Sequence, residues 1–209
     1  MLMLGFVLVA GCGGGGTSSG GGGDGGGGAG IDPRLARIDI YESQRLRVLG
    51  EPGAGVMGMA ETPDISMPDT GTASFTGAMT VWLETDPGVT TLAGDAVINM
   101  DFGLNTVGGT AENFFGTDPD GVLRDYAGTV TFDEGSIGTD VPNDWQTGYS
   151  GVLTAAAQTI VLDGTVDGSF LGDPIAAIAG AELEAQAVHN GNLVDGIVTV
   201  IGEGTVVPQ

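Results

Sequence analysis

The chain has 209 residues and an extreme charge balance, with 27 Asp and Glu against 5 Lys and Arg and a formal net charge of −22. All the cations are arginines, because the sequence contains no lysine. Phosphate recognition depends on Lys and Arg, so this balance excludes nucleic acid as a partner and disfavours attraction to an anionic membrane surface. The length fits one globular domain once the unusual N-terminal segments are set aside.

The chain begins with a short apolar segment that is typical of an export signal. Residues 1–11 carry no charge, and the run MLMLGFVLVA is too short to span a bilayer but suits the central region of a signal peptide. Residues 9–12 (VAGC) resemble the lipobox of bacterial lipoproteins. That resemblance implies cleavage before Cys12, attachment of a diacylglyceryl group to its thiol and acylation of the new amino terminus. No Arg or Lys precedes Gly11, so a start upstream of Met1 stays open.

Cys12 is the only cysteine in the chain, and its isolation favours an anchoring role. It has no partner for an intramolecular disulfide, and a free exposed thiol would be reactive in an oxidising compartment. Acyl chains contribute roughly 0.8 kcal/mol per buried CH₂, so several of them anchor a protein without a basic patch. Gly13, rather than Asp, follows the cysteine, and the resemblance then implies the outer membrane, with either the periplasmic or the external face open.

The next two segments precede the main domain. Residues 13–30 are almost pure glycine and predict a disordered tether with a relaxed span of roughly 23–25 Å. The GTSSG stretch within it matches the nucleophile-elbow pattern, but that motif needs a strand before it and a helix after it. Residues 31–69 are an extension of uncertain structure. Its first part, residues 31–50, carries four of the five arginines and could form a short strand or handle on the main body or an ordered extension.

From Thr70 onward, apolar and polar residues alternate, which predicts half-buried β-strands. The clearest strands cover residues 73–83, 91–102, 122–132 and 160–170. The residues assigned to their inward faces are Phe75, Met79, Val81, Leu83, Leu92, Gly94, Ala96, Ile98, Met100, Phe102, Tyr126, Val130, Phe132, Ile160, Leu162, Val166 and Phe170. Weaker runs at residues 107–115, 149–155, 179–188 and 193–201 bring the number of strands to about eight.

The strands are separated by turn signals, which predict hairpin order. These signals are Asp86-Pro87-Gly88, Asp118-Pro119-Asp120-Gly121 and Asn190-Gly191. The pattern predicts an all-β fold over residues 70–209, a single antiparallel up-and-down β-barrel of about eight strands that is soluble and has a packed core. A barrel embedded in lipid would instead show apolar residues outward and aromatic girdles. Five glycines at inward positions would save space and let strands coil: Gly77, Gly94, Gly128, Gly164 and Gly168.

Three stretches resemble the β-barrel domain of transferrin-binding protein B and its relatives. They are residues 68–77 (PDTGTASFTG), residues 100–103 (MDFG) with VGG at 107–109, and residues 164–172 (GTVDGSFLG). The resemblance covers about residues 67–204. It implies a lipid-anchored outer-membrane barrel whose loops bind a protein or solute, with a TonB-dependent receptor as a partner and a link to iron acquisition.

Groups for catalysis or metal binding are scarce. His189 is the only histidine, and its place beside the Asn190-Gly191 turn predicts a surface residue at a hairpin end. One histidine and one cysteine do not make a zinc site. Residues 118–125 (DPDGVLRD) resemble a calcium loop faintly, but Pro119 fits a hairpin turn better. We therefore expect no catalytic residue, no metal and no cofactor. Separately, we expect the protein to be a monomer.

Three functional hypotheses stay open. The leading one is a non-enzymatic binding module for a protein or solute, linked to iron acquisition, with its ligand-binding residues unknown. The alternative is a structural lipoprotein whose acidic barrel coats or spaces the envelope without a specific ligand. A hydrolase would require two carboxylates that converge in a cleft.

Overall fold

The computed structural model describes residues 32–86, 88–138 and 141–208. The predicted export signal, Cys12 and the glycine tether therefore lie outside the described residues, as does Pro87 of the first predicted turn. From Asp32 onward the described chain forms one compact unit. None of its helices is long and apolar enough to cross a bilayer.

The described chain contains one α-helix, two very short strands and nine longer ones. Helix α1 covers Pro33–Val48. The short strands β1 (Gly50–Glu51) and β2 (Val56–Met57) pair with each other. The other strands are β3 (Thr72–Glu84), β4 (Val89–Asp101), β5 (Thr106–Thr117), β6 (Leu123–Tyr126), β7 (Val130–Ile137), β8 (Asp144–Ala155), β9 (Gln158–Leu171), β10 (Ala177–His189) and β11 (Asn192–Val207).

The longer strands form a closed antiparallel barrel in up-and-down order. Strands adjacent in sequence pair with each other, except for β6 and β7, and the pairing of β11 with β3 closes the ring. Strands β6 and β7 share one position in that ring, because β5 pairs with β6 at one end and with β7 along the other. The ring therefore has eight positions, and the predicted all-β barrel is confirmed.

The strand predicted over residues 122–132 is wrong as a continuous element. It breaks between β6 and β7 at Gly128, whose φ of 133° lies in a region that L side chains rarely adopt. A Cβ at this position would collide with the carbonyl oxygen of Val152. The face assignment nevertheless holds for Tyr126, Val130 and Phe132, which are all buried.

Aromatic and aliphatic side chains fill the barrel interior. The seventeen residues listed for the inward faces of the clearest strands are all buried. Of the five glycines predicted at inward positions, Gly94 is buried and Gly77, Gly164 and Gly168 are half-buried, but Gly128 is exposed, so its predicted inward position is wrong. Phe170 contacts Phe102 and Phe75, with ring centroids 5.5 and 6.3 Å apart, respectively. The ring of Trp145 lies against Gly168, where a Cβ would overlap it. The space-saving role predicted for this glycine is confirmed, and the predicted packed core is present.

Residues 31–50 contain helix α1, so the short-strand interpretation of this segment is wrong. The Asp32 carboxylate caps the helix by accepting a hydrogen bond from the Arg34 backbone amide at 3.0 Å. Pro33 occupies the first helical position, and Arg45 and Arg47 lie in the last turn, where cations are favourable.

Helix α1 packs against the outside of the barrel through a largely polar face. The Arg37 guanidinium lies 4.5 Å from the ring centroid of Phe115 and donates a hydrogen bond to the Asn113 carbonyl oxygen at 2.8 Å. The Tyr41 hydroxyl donates to Asp95 at 2.6 Å. At the other end of the helix, Val48 packs with Leu171, Ala177 and Ile201. The helix thus covers one side of the barrel.

Strands β9 and β10 lose their pairing between Ala181 and Ala187, and Glu182 lies in the gap. Its carboxylate accepts hydrogen bonds from the Tyr149 hydroxyl at 2.6 Å and from the Thr165 backbone amide at 3.2 Å. Burial and the bond to Glu182 raise the pKa of the Tyr149 hydroxyl far above its ordinary value. Tyr149 therefore stays a neutral donor to a carboxylate.

Replacing Tyr149 with phenylalanine should lower the free energy of unfolding by about 1–2 kcal/mol, because a charge-assisted hydrogen bond is lost. Tyr126→Phe is the matched control. Tyr126 and Tyr149 are both 2% exposed, but the Tyr126 hydroxyl donates to the neutral amide of Gln158 at 3.0 Å, so its loss should cost about 1 kcal/mol or less. Urea denaturation measures both values. A loss in Tyr126→Phe as large as that in Tyr149→Phe would contradict this assignment.

Candidate protein-binding surface

His189 is buried, so its predicted surface position is wrong. It closes the β10–β11 hairpin as expected, but only 8% of it is exposed. The reason is the register of β10 with β9, which places His189 opposite the buried Ile160. Burial lowers the pKa of its imidazole. Among the residues with described side chains, its one hydrogen-bonding contact is with the Asn190 amide at 3.4 Å.

The residues that resemble a calcium loop form a capped turn. The Asp118 carboxylate is fully buried, and its Oδ1 accepts the backbone amides of Asp120 at 3.0 Å and Val122 at 2.8 Å. Its Oδ2 pairs with the guanidinium of Arg124. An arginine therefore occupies the position that a cation would take, and the turn interpretation of this segment is the one that the contacts support.

A depression of about 500 Å³ lies where the ends of β3, β4, β5 and β11 meet. Hydroxyl and amide groups of Thr72, Ser74 and Asn99 line it together with one carboxylate, Asp101. That carboxylate already accepts the Leu104 backbone amide at 2.9 Å. The depression therefore does not supply the pair of converging carboxylates that a hydrolase would need.

A second feature is a row of outward aliphatic side chains that crosses four strands. Val152 of β8 is opposite Val161 of β9, Val161 is opposite Val188 of β10, and Val188 is opposite Leu193 of β11. We call these four residues the apolar rung. Their exposed fractions are 50% for Val152, 37% for Val161 and 64% for Leu193, while Val188 is half-buried. Directly opposed side chains in a sheet lie about 5 Å apart, so the rung is continuous.

The outer surface on one side of the apolar rung is acidic. Two outward pairs lie next to it along the strands, Ser150 with Asp163 and Gln186 with Asp195. Asp167 and Glu184 are exposed farther along β9 and β10. We call the outer face of β8–β11 that carries the rung and these four carboxylates the acidic wall.

Helix α1 makes its polar contacts away from the acidic wall. Within the described chain, its hydrogen bonds and ion pairs to the barrel end on β3, β4, β5, β6 and, on β11, at Glu203. Glu203 lies ten residues beyond Leu193 on that strand. Helix α1 therefore leaves the apolar rung open.

Comparison with solved structures returns a likeness in fold. The barrel is similar to part of transferrin-binding protein B. Two variants of this vaccine antigen from Haemophilus parasuis Hp5 match, a single-substitution form with a TM-score of 0.43 and a double-substitution form with a TM-score of 0.41. Both matches have 17% identity and cover 69% of this chain.

The chain spans only 28% of the length of those two proteins. No protein-family model and no curated protein matches the sequence. The likeness to transferrin-binding protein B concerns the barrel fold alone.

The predicted lipidation residue, Cys12, lies outside the described residues and stays a prediction. The sequence reasoning did not find the apolar rung. Each of its members belongs to or borders a predicted strand, but only the strand register brings Val152, Val161, Val188 and Leu193 into one row. The signal that could have found them is an aliphatic residue at an outward position on each of four successive strands.

Proposed function

We propose that this protein is a non-enzymatic, lipid-anchored outer-membrane lipoprotein whose barrel binds a protein partner. The apolar rung is the observation that carries the proposal. A sheet face in contact only with water gains nothing from a continuous aliphatic row, whereas an interface gains a desolvated centre. A protein is favoured over a solute for two reasons. Side chains fill the barrel interior, and the apolar rung lies on the outer surface of the sheet rather than in a cleft.

The membrane anchor in this proposal is the diacylglyceryl group on Cys12, with residues 13–30 as the tether. The resemblance to transferrin-binding protein B suggests iron acquisition as the biological setting and a TonB-dependent receptor as a neighbour in the same membrane. We propose the partner class from the surface of the barrel alone.

Replacing Cys12 with serine should abolish metabolic incorporation of labelled palmitate and release the protein from the membrane fraction, because the acylated thiol is removed. Ser19→Ala, a substitution within the tether, is the control and should keep full labelling. Palmitate label that persists in Cys12→Ser would contradict the anchor. Protease treatment of intact cells then tells whether the barrel faces outward or into the periplasm.

The binding function is tested by co-isolation of the full-length protein from solubilised membranes. We expect a partner to be retained by the wild type and lost from the triple variant Val152→Thr/Val161→Thr/Leu193→Ser. These changes keep β-propensity at two of the three positions and leave the net charge unchanged. Val97→Thr is the matched control, because Val97 on β4 is 37% exposed, the same as Val161.

The control variant should retain the partner as fully as the wild type does. Equal retention by the triple variant would place binding away from the apolar rung. If the wild type retains no protein at all, the binding function is wrong, and the structural coat lipoprotein is the remaining interpretation.

A further inference from the structure

We infer that the partner presents a basic protein surface that carries lysines. An apolar side chain of this surface contacts the apolar rung, and its lysine amines pair with the neighbouring carboxylates of the acidic wall. This inference rests on the proposed function and specifies the chemistry of its partner. It follows from how the charges of the barrel are distributed.

The five arginines of the chain are all engaged in ion pairs within it. On α1, Arg34 pairs with Asp32 and Asp125, Arg37 with Asp95, Arg45 with Glu42 and Glu51, and Arg47 with Glu203. The fifth, Arg124, pairs with Asp118. Since the sequence contains no lysine, the charges of the acidic wall must be balanced from outside the chain.

The carboxylates of the acidic wall are free to meet such a partner. In the described part of the chain, Asp163, Asp167, Glu184 and Asp195 have no cation within ion-pair distance. Asp167 and Asp195 accept hydrogen bonds from the neutral amides of Gln146 at 2.5 Å and Gln186 at 3.4 Å. Both hydrogen bonds are exposed at the surface, and because the amides are neutral the two carboxylates keep their negative charge.

The rung and the wall together have the layout of one side of an interface, an apolar row at the hairpin ends of the strands with a charged rim along its other side. Four strands spaced about 4.8 Å apart make the rung roughly 14 Å wide, enough for one or two anchoring side chains of a partner. The negative rim then provides charge complementarity to a basic partner and raises its association rate.

Other occupants of this surface fit less well. A second copy would set the same carboxylates against each other, at a net charge of −22 on each chain. An anionic bilayer is repelled for the same reason. The apolar segment at residues 1–11 is removed from the mature protein in the proposed function, and the tether that follows it is nearly all glycine.

Carbodiimide coupling tests this inference. The reagent adds to a carboxylate to form an activated ester, and a lysine amine then attacks the carbonyl carbon, forms an amide and releases the reagent as a urea. The chain has no lysine, so its own side chains cannot be joined in this way. We expect membranes that contain the full-length protein to yield amides between Asp163, Asp167, Glu184 or Asp195 and lysines of one partner. Mass spectrometry of the coupled peptides identifies both residues.

Two sets of variants give the inference its controls. The triple rung variant keeps every carboxylate, so its coupling yield should fall at least about tenfold if the rung anchors the partner. Val97→Thr should couple like the wild type. Asp64→Asn/Asp69→Asn removes two exposed carboxylates outside the acidic wall and should leave the yield unchanged. Raising the salt concentration to about 0.5 M before coupling should lower the yield, because exposed charges are then screened.

The outcomes separate this inference from the function on which it rests. If a partner co-isolates through the rung but forms no amide with the acidic wall, or contacts it through a segment without lysine, the inference is wrong and the binding function stands. Coupling as frequent at Asp64 and Asp69 as on the wall overturns it too. If no protein co-isolates with the wild type, the proposed binding function is wrong, and the inference that rests on it is wrong as well.

Discussion

Replacing Phe170 with alanine should lower the free energy of unfolding by about 3–5 kcal/mol, the range for removing a fully buried phenylalanine ring. Phe170 on β9 is fully buried and contacts the rings of both Phe75 on β3 and Phe102 after β4. These contacts join opposite parts of the barrel across its interior. Chemical denaturation followed by tryptophan fluorescence measures the loss.

Ile65→Ala is the control for the Phe170 substitution. The Ile65 side chain is 95% exposed, so its truncation should change the unfolding free energy by no more than about 0.5 kcal/mol. A loss below about 1 kcal/mol in Phe170→Ala would mean that the interior is not packed as described.

Replacing Asp118 with asparagine should lower the free energy of unfolding by about 2–3 kcal/mol at neutral pH, because a buried charged acceptor of several hydrogen bonds is neutralised. The Asp118 carboxylate accepts two backbone amides and pairs with Arg124. Asp120→Asn is the matched control in the same turn, since Asp120 is exposed. Thermal and urea denaturation of both variants should show a clear loss in the first alone.

The loss in Asp118→Asn should also depend on pH. Burial acts to raise the pKa of Asp118, but the bonds from Arg124, Val122 and Asp120 outweigh it and hold that pKa below its ordinary value of 3.8. The unfolded chain therefore binds this proton at a higher pH than the folded protein does. The stabilisation is fully present above the unfolded pKa and is lost as the pH falls through the lower, folded one.

The free energies of unfolding of the wild type and Asp118→Asn should therefore differ by a constant amount between about pH 5 and pH 7. The difference should shrink below about pH 4. The free energy of unfolding measured across this range gives the test. A difference that grows on acidification would contradict the ion pair with Arg124. Calcium should leave the melting temperature of the wild type unchanged, because Arg124 already fills the cation position.

The barrel itself was predictable because alternation with a period of two depends on each strand alone. The inward residues of β3, β4 and β9 could be assigned from sequence, since one face of each strand is apolar and the other polar. The Asn190-Gly191 hairpin turn was also predictable. Both of its residues have positive φ, 51° and 85°, which Asn and Gly tolerate best.

The remaining features depend on contacts between distant segments. Helix α1 escaped prediction because the face that meets the barrel consists mainly of polar residues such as Arg34, Arg37 and Gln44, so it shows no apolar period. The burial of His189 depends on its register opposite Ile160. The apolar rung depends on the register of four strands at once, and alternation within one strand says nothing about its neighbours.

In-cell photo-crosslinking tests the central claim most directly, that the barrel recognises a protein through the apolar rung on its outer wall. A photoreactive phenylalanine analogue is placed singly at Val152, Val161 and Leu193, and for comparison at Val97 on β4 and at Val207, which lines the depression. We predict adducts with one partner protein from the three rung positions and none from Val97 or Val207. Adducts that form equally at all five positions, or only at Val97 or Val207, would contradict the claim.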